Sequence, residues 1–391
     1  MSPPPLKGVR VIELARILAG PWAGQMLADL GADVIKVENP EGGDDTRKWG
    51  PPFVAGRDGE NLSAAYYHAC NRGKRSIAID FSTLEGAETI RKLVATADVL
   101  IENFKLGGLK KYGLDYDSLR KLNPKLVYCS ITGFGQDGPY APRAGYDFII
   151  QGMSGLMSIT GAADGEPQKV GVAVTDLFTG LYSVIAIQAA LRHAEATGEG
   201  QFVDMALFDA QIAILANQNL NFLVSGQSPQ RMGNAHPNIS PYEVVAAADG
   251  HFILAVGNDG QFRKFCQIVG LDALPDNPDF ATNAARVANR AALHQKIVAA
   301  LKPLGRAPLL ARLDAAGVPA SPINTIGEMF ADPQTIARGM QMALDDGHGN
   351  KLPSVRSPML LSGTPLTYDR PSPRLGEHTA EILAELENRK P

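Results

Sequence analysis

The chain of 391 residues has little cysteine and no excess of positive charge. Its three cysteines, Cys70, Cys129 and Cys266, are scattered and odd in number. That usage is typical of a reduced protein and offers no spacing for a metal site. A net charge of −4 argues against a nucleic-acid partner. Residues 1–8 contain no apolar run typical of a secretory signal, so we expect none, and no apolar stretch predicts a membrane span. We therefore expect a cytoplasmic protein with no metal, membrane or nucleic-acid partner.

The first third of the chain alternates short apolar runs with amphipathic stretches. The pattern predicts strands at 9–14, 34–38, 76–80, 99–101 and 126–131, with helices at 23–30 and 84–95. Such alternation predicts an α/β fold, with a Rossmann-like doubly wound parallel sheet covered by helices on both faces. The first strand–helix turn lacks the G-x-G-x-x-G spacing of dinucleotide-binding folds, so a dehydrogenase is disfavoured.

The periodicity changes after residue 225, which predicts a second, smaller α+β domain. Two apolar runs flank Asp249-Gly250, a turn typical of hairpins, and helical patterns follow near 260–269, 284–301 and 308–316. A last helix is predicted around 378–388. The predicted large domain comprises 1–224 and 330–391, the small domain 240–322, and the linkers 225–239 and 323–329.

Asp176 lies where an apolar run, 169–175, is predicted to pass from a strand into a helix reaching about residue 193. Ligands and reactive groups collect at such junctions in open α/β sheets. Asp is also a favoured helix N-cap. The carboxylate is therefore a cap or a nucleophile, and its position alone does not decide between them.

A set of short motifs runs in order along nearly the whole chain. They are LAGP (18–21), LGADVIKVE (30–38), GDDTR (43–47), NRGKRS (71–76), DVLIENF (98–104), SITGFG (130–135), GYD (145–147), TDLFTG (175–180) and LGEHT (375–379). Together they resemble the class III coenzyme A transferases, a family that includes formyl-CoA transferase and carnitine CoA-transferase and is related to the α-methylacyl-CoA racemases. The resemblance implies the family's interlocked homodimer, with CoA and acyl-CoA as substrates and no permanently bound cofactor.

The resemblance makes Asp176 the catalytic nucleophile, which forms an acyl–aspartyl anhydride and then an aspartyl–CoA thioester. The racemase relatives carry His-Asp where this chain has Tyr146-Asp147. Tyrosine, with an ordinary pKa near 10, is a poor base for abstracting an α-proton. Tyr146 therefore favours transfer over racemisation. It is predicted to be catalytic, with a packed aromatic whose hydroxyl is satisfied as the alternative, and Asp147 is predicted to be either a second acid near the thioester or a turn residue. A racemase and a non-catalytic CoA-binding protein remain as alternatives.

The resemblance also suggests binding residues, although each cation among them is equally compatible with a solvated surface charge. The predicted CoA contacts are Arg16, Leu18, Ala19, Arg72, Lys74, Arg75, Asn103, Phe104 and Lys111. Leu106, where the family usually has proline, and Asn39, where some members have a basic residue, depart from the pattern. The predicted substrate contacts are Arg47 and Arg143 for a distal carboxylate, Asp147, and the loop residues Gly233 and His236. His236 is equally compatible with a structural or solvent-facing role.

Three stretches, 43–53, 143–147 and 318–324, look closest to the branch that transfers CoA between succinyl-CoA and glutarate. The resemblance therefore implies a CoA-transferase that uses succinyl-CoA as donor and a C4–C6 dicarboxylate as acceptor. A formyl-, oxalate- or carnitine-type transferase is the alternative within the family.

Overall fold

The computed structural model describes residues 2–57 and 59–388. Its strands are β1 (Arg10–Glu13), β2 (Asp33–Glu38), β3 (Phe53–Ala55), β4 (Asn61–Ala64), β5 (Arg75–Ala78), β6 (Val99–Glu102), β7 (Val127–Thr132), β8 (Phe202–Ala206), β9 (Tyr242–Ala247), β10 (Gly250–Ala255), β11 (Ala320–Pro322), β12 (Gln341–Asp345) and β13 (Lys351–Val355).

The α-helices are α1 (Ala19–Asp29), α2 (Ala65–Ala69), α3 (Leu84–Val94), α4 (Tyr116–Leu119), α5 (Asp147–Met153), α6 (Leu156–Ile159), α7 (Val174–Thr197), α8 (Leu207–Ile214), α9 (Asn217–Ser225), α10 (Asp259–Val269), α11 (Asn283–Ala288), α12 (Arg290–Leu301), α13 (Arg306–Ala315), α14 (Ile326–Ala331), α15 (Pro333–Ala337) and α16 (Thr379–Asn388). Short 3-10 helices span Asp45–Lys48, Lys110–Tyr112 and Leu274–Asp276.

The chain divides into two compact units. The first comprises Met1–Leu156, Val170–Ser225 and Pro333–Pro391, and the second Met157–Lys169 and Gly226–Asp332. The second unit thus includes residues 157–169, which the sequence pattern assigns to the large domain. These residues are hydrogen-bonded to the segment after residue 225. Gly233 N donates to Gly161 O at 3.1 Å, and Arg231 Nη2 donates to Gly165 O at 3.0 Å.

The first unit is built on a six-stranded parallel sheet in the order β5-β2-β1-β6-β7-β8. Consecutive residues of β1 point to opposite faces of the sheet and pack into two different cores. Val11 packs with residues of α1 and α7 on one face, and Ile12 packs with residues of α3 and α16 on the other. The α/β, Rossmann-like, doubly wound fold is therefore confirmed. The strand order reverses between β1 and β6, which is the topological switch point where such sheets bind ligands.

The C-terminal LGEHT motif covers the exposed edge of β5. His378 N donates to Ser76 O at 2.9 Å, and Ser76 N donates to His378 Nδ1 at 3.2 Å. Farther along the strand, Ala78 N donates to Thr379 Oγ1 at 3.0 Å. Unpaired edge groups invite pairing with other chains, so these bonds close the edge from within the same chain.

The predicted strand before Asp176 is wrong. Residues 166–173 form no strand, and α7 begins at Val174 and continues to Thr197, four residues past the predicted end. Val172 is exposed, and Val170 N is held by the side chain of Gln151 at 2.9 Å instead of a sheet neighbour. An apolar run without a neighbouring strand cannot join the sheet.

Helix α7 is long and apolar enough to cross a membrane by length and composition, unlike the expectation from the sequence. Its residues Val184, Ile187 and Leu191 pack into the core on the sheet. That packing explains its hydropathy as that of a core helix. Helix α1 also begins earlier than predicted, at Ala19, because Pro21 fits the first turn of a helix.

The second unit has its own core. β9 and β10 form the predicted hairpin, and β11 pairs antiparallel with β10. Phe252 from the sheet packs with Phe262 of α10, Ile297 of α12 and Leu313 of α13. The α+β character of this part of the chain follows the predicted pattern.

Candidate active site

Asp176 is the third residue of α7, in the first unit, and is partly buried. It is not the helix cap: the N-cap residue is Ala173, which has no capping side chain. The cap comes from Asp147, the first residue of α5, whose Oδ1 accepts hydrogen bonds from Thr175 N at 2.8 Å and Asp176 N at 3.4 Å. The two interpretations of Asp176 thus separate, because Asp147 satisfies the helix terminus and leaves the Asp176 carboxylate available.

The orientation of Asp147 is fixed by α5 itself. Its Oδ2 accepts from Gln151 Nε2 at 2.7 Å, one turn along the helix. Gln151 is fully buried and also bonds Val170 N. Thr175 donates its hydroxyl to Gln211 Oε1 at 2.7 Å, which ties the start of α7 to α8. Packed helices therefore hold the Asp147 carboxylate against the backbone N–H groups at the start of α7.

Burial, together with the neighbouring charge of Asp147, raises the pKa of Asp176 to about 7. A carboxyl group that titrates near neutrality in a poorly solvated place is typical of catalytic sites.

Tyr66 of α2 lies within the electrostatic influence of Asp176, a relation that no sequence motif predicted. Burial and the charge of Asp176 raise the pKa of Tyr66 to about 12, so its hydroxyl stays protonated and able to donate. Its ring packs edge-on to Trp49 at a centroid distance of 5.5 Å. A tyrosine in an apolar-rich helix is usually a packing residue, and only the three-dimensional arrangement brings it near Asp176.

Tyr146 and Arg143 lie just before α5. Tyr146 is the N-cap residue of α5, and its side chain is 70% exposed. The Arg143 guanidinium lies over the ring of Tyr140, 4.7 Å from its centroid, and 5.6 Å from that of Phe134. Arg143 is exposed, so it is accessible to a carboxylate ligand.

The switch point between β1 and β6 brings together several predicted CoA contacts. Asn103 bonds both peptide groups of Arg16: Arg16 N donates to Oδ1 at 2.9 Å, and Nδ2 donates to Arg16 O at 2.7 Å. The Arg16 guanidinium lies 5.7 Å from the ring centroid of Phe104 and pairs with Asp45 at 2.9 Å. Leu18 and Ala19 follow directly, at the start of α1.

A cavity of about 410 Å³ opens beside Phe104. Lys105, Tyr116 and Ser130 are among its lining residues, together with Glu102 at the end of β6. Burial raises the pKa of Glu102 to about 7, although Phe104 N donates to its Oε2 at 2.7 Å. The aromatic side chains of this cavity and the nearby Lys105 are suited to bind an aromatic ring that carries phosphate groups.

Four predicted cations are instead buried in ion pairs of the first unit. Arg72 pairs with Asp29 at 2.7 Å, Lys74 with Glu13 at 2.8 Å, Arg75 with Asp33 at 2.7 Å, and Arg47 with Glu38 at 2.7 Å. A buried charge that already has a partner cannot take a phosphate or carboxylate without leaving that partner unpaired. The geometry therefore favours structural roles for these four residues.

The remaining predicted residues are Lys111 in the first unit and Gly233 and His236 in the second. Lys111 is exposed, with Nζ 4.6 Å from the ring centroid of Tyr112. In the second unit, Gly233 has a φ of +61°, which favours glycine. His236 Nδ1 accepts from Asn238 N at 3.1 Å, and its ring packs on Tyr242. Among residues 2–57 and 59–388, no group of three or more His, Cys, Asp or Glu is arranged to hold a metal ion.

The sequence profile described as CoA-transferase family III matches residues 6–379. A succinate–glutarate CoA-transferase from Agrobacterium fabrum is 66% identical over 384 residues, covering 98% of this chain and 96% of its own length. The human succinyl-CoA:glutarate CoA-transferase is 41% identical over 383 residues, covering 98% and 86%. The crystal structure of a CAIB/BAIF family protein from Brucella suis superposes with a TM-score of 0.88 at 61% identity, covering 98% and 100%.

The chain therefore belongs to CoA-transferase family III. It is an enzyme of the CoA-transferase type, and CoA thioesters and carboxylic acids are the substrates that this class uses.

Proposed function

We propose that this enzyme transfers CoA from succinyl-CoA to glutarate or another C4–C6 dicarboxylate through covalent intermediates on Asp176. The observation that carries the proposal is the Asp176 carboxylate itself. It is partly buried, has a raised pKa and is released from capping by Asp147. A carboxylate that has lost solvation is a better nucleophile when ionised.

The proposed reaction begins when an Asp176 oxygen attacks the thioester carbonyl of succinyl-CoA and the CoA thiolate leaves. The product is a succinyl–aspartyl anhydride. The thiolate then attacks the aspartyl carbonyl, which releases succinate and leaves an aspartyl–CoA thioester. The acceptor carboxylate attacks that thioester and again displaces CoA thiolate. The thiolate finally attacks the new acyl carbonyl, giving the product thioester and regenerating Asp176. No step consumes water, so the energy of the thioester is kept.

Neighbouring groups supply the electrostatics. The Tyr66 hydroxyl, protonated throughout the neutral range, is suited to donate to the oxyanion of a tetrahedral intermediate. Asp147 keeps the start of α7 in place. Tyr146 and Asp147 together replace the His-Asp pair expected of a racemase, which supports transfer over proton abstraction.

The choice of dicarboxylate rests on the named relatives and on one cation. The bacterial and human relatives are both named for succinate or succinyl-CoA and glutarate. A distal carboxylate requires an accessible positive charge, and Arg143 offers one. Arg47, the other predicted candidate, is held by Glu38 through Nε at 2.8 Å and Nη2 at 2.7 Å. We therefore assign the distal carboxylate to Arg143.

We also propose that the enzyme is a homodimer. Helices α7 and α9 expose large apolar side chains. Ile185 is 63% exposed, Leu223 72% and Val224 85%. Large apolar side chains left exposed in this way are typical of surfaces that a partner covers. Light scattering coupled to size exclusion should give twice the mass of the chain, and a monomer at micromolar concentration would contradict the proposal.

The covalent mechanism is tested by trapping. The enzyme is incubated with succinyl-CoA, treated with hydroxylamine and digested, and the peptide that contains Asp176 is examined by mass spectrometry. A hydroxamate is expected on Asp176. The peptide that contains Asp147 should carry none and serves as the control. α-Proton exchange in deuterated water without any adduct would indicate a racemase. The acceptor is tested by comparing kcat/KM for glutarate, oxalate and carnitine; preference for oxalate or carnitine would refute the dicarboxylate assignment.

A further inference from the structure

The turn between β1 and α1 holds an isoleucine in a backbone conformation that such residues avoid. Ile17 has a φ of +73°, in the left-handed region. There the Cβ of a β-branched residue crowds the neighbouring backbone. Strained residues persist only where surrounding contacts determine their conformation, and they cluster at binding sites. This turn carries Arg16, Leu18 and Ala19, so what holds it matters for binding.

Two side chains hold the turn from different elements. Asn103, at the end of β6, bonds both peptide groups of Arg16. The Asp44 carboxylate accepts from Ile17 N, at 3.2 Å to Oδ2 and 3.4 Å to Oδ1. Asn103 is one of the predicted CoA contacts at the switch point. Asp44 binds the backbone N–H of the strained residue itself.

Asp44 is fixed by a buried network of charges. Lys36 Nζ lies 2.9 Å from Asp44 Oδ2 and also donates to Ala15 O at 3.0 Å, so one lysine holds the turn on both sides of Arg16. Thr46 donates its N–H and its hydroxyl to Asp44 Oδ1, at 3.0 and 2.7 Å. Asp44 is only 1% exposed and Lys36 not at all. An amide in place of the carboxylate would have one acceptor atom for these donors instead of two.

We propose that Asp44 is a positioning residue for CoA binding: anchored on Lys36, it keeps Ile17 left-handed and thereby holds Arg16, Leu18 and Ala19 in the geometry that receives the nucleotide part of CoA. The inference rests on the proposed CoA contacts of this turn. It concerns affinity for CoA, whichever acid is carried and whether or not Asp176 forms a covalent bond.

The test measures the dissociation constant for free CoA by calorimetry in Asp44→Asn. The matched control is Asp29→Asn, which breaks an equally buried ion pair at the opposite end of α1, where Asp29 pairs with Arg72. Both variants should unfold at lower denaturant concentration. Asp44→Asn should bind CoA about tenfold more weakly or worse, in proportion to the strain it releases. Asp29→Asn should stay within about twofold of the wild type.

A rescue separates positioning from general stability. Glycine adopts the left-handed region without crowding, so Ile17→Gly in the Asp44→Asn background should recover about threefold of the lost affinity or more. Thr46→Val gives a milder perturbation in case Asp44→Asn does not fold. It keeps the size of the side chain but removes one bond to Asp44, and it should weaken CoA binding about threefold.

Equal CoA affinity in Asp44→Asn and the wild type would overturn the inference. Equal losses in Asp44→Asn and Asp29→Asn, or a double variant that gains nothing from glycine, would do the same. These results would leave the proposed transfer reaction intact. A folded wild-type enzyme that does not bind free CoA would instead refute the proposed CoA site at this turn.

Discussion

Replacing Asp176 with asparagine should stabilise the protein at alkaline pH while it abolishes transfer. Asp176 has a pKa raised from 3.8 to about 7, mainly by burial and further by the charge of Asp147. A folded-state pKa above the unfolded value means that the folded protein binds this proton more tightly. The stability due to that proton is fully present below about pH 4 and is lost as the pH rises to about 7. Above pH 7, the wild-type protein keeps a poorly solvated charge that Asp176→Asn lacks.

The magnitude follows from the pKa change. At 1.36 kcal/mol for each pKa unit, the full difference is about 4 kcal/mol. Between pH 5 and pH 8 the accessible part is about 3 kcal/mol, because proton release from the folded protein is complete only above pH 7. Asp176→Asn should therefore gain about 3 kcal/mol relative to the wild type over this interval. A gain of this size is large beside the total stability of most domains.

The assay is denaturant unfolding of both proteins at pH 5 and pH 8, at one fixed protein concentration so that any association affects both alike. Asp314→Asn, at an exposed position on α13 in the second unit, serves as the control. If the stability difference between Asp176→Asn and the wild type is the same at both pH values, then Asp176 does not have a raised pKa. Asp176 would then lack the loss of solvation from which its nucleophilicity is inferred.

Three further results are expected. The wild-type kcat/KM should fall about tenfold per pH unit below pH 7, as Asp176 is protonated. Asp147→Asn should move this acid side of the pH profile about one unit lower, because it removes the neighbouring charge. An unchanged pH profile would contradict the effect of the Asp147 charge on the pKa of Asp176. Arg47→Ala should destabilise the fold by about 3–5 kcal/mol in urea unfolding, because Glu38 is left buried without its partner; a selective rise in KM for glutarate with normal stability would restore Arg47 as a substrate contact. Arg143→Ala should raise KM for glutarate about tenfold or more without changing the affinity for free CoA; unchanged KM would remove Arg143 from the site.

The alternation of strands and helices could be predicted because each buried parallel strand is a short apolar run, distinct from the amphipathic helices between them. The five strands predicted between residues 9 and 131 appear in the structure, within one or two residues of β1 (Arg10–Glu13), β2 (Asp33–Glu38) and their neighbours. The wrong prediction of a strand at 169–175 rested on the same signature, a short apolar run. An apolar run predicts burial, but whether it joins a sheet depends on a neighbouring strand, and the run has none there.

The candidate site was only partly predictable. Asp176 and Asp147 were both singled out by the motifs that contain them. That Asp147 caps the helix of Asp176 depends on α5 packing against α7, and the bonded residues are 28 and 29 positions apart. Tyr66 carried no local signal, because its relation to Asp176 exists only once α2 lies beside the start of α7.

The sequence by itself determined the fold class, the family and the position of the carboxylate proposed as nucleophile, since these depend on local periodicity and on ordered short motifs. Only the tertiary structure decided which charges are available for ligands. Arg72, Lys74 and Arg75 look like phosphate-binding residues along the chain, yet each meets a carboxylate 42 to 61 positions away inside the first unit. The pairing of charges is a property of the folded packing, because a buried ion is stable only with a partner that distant elements bring to it.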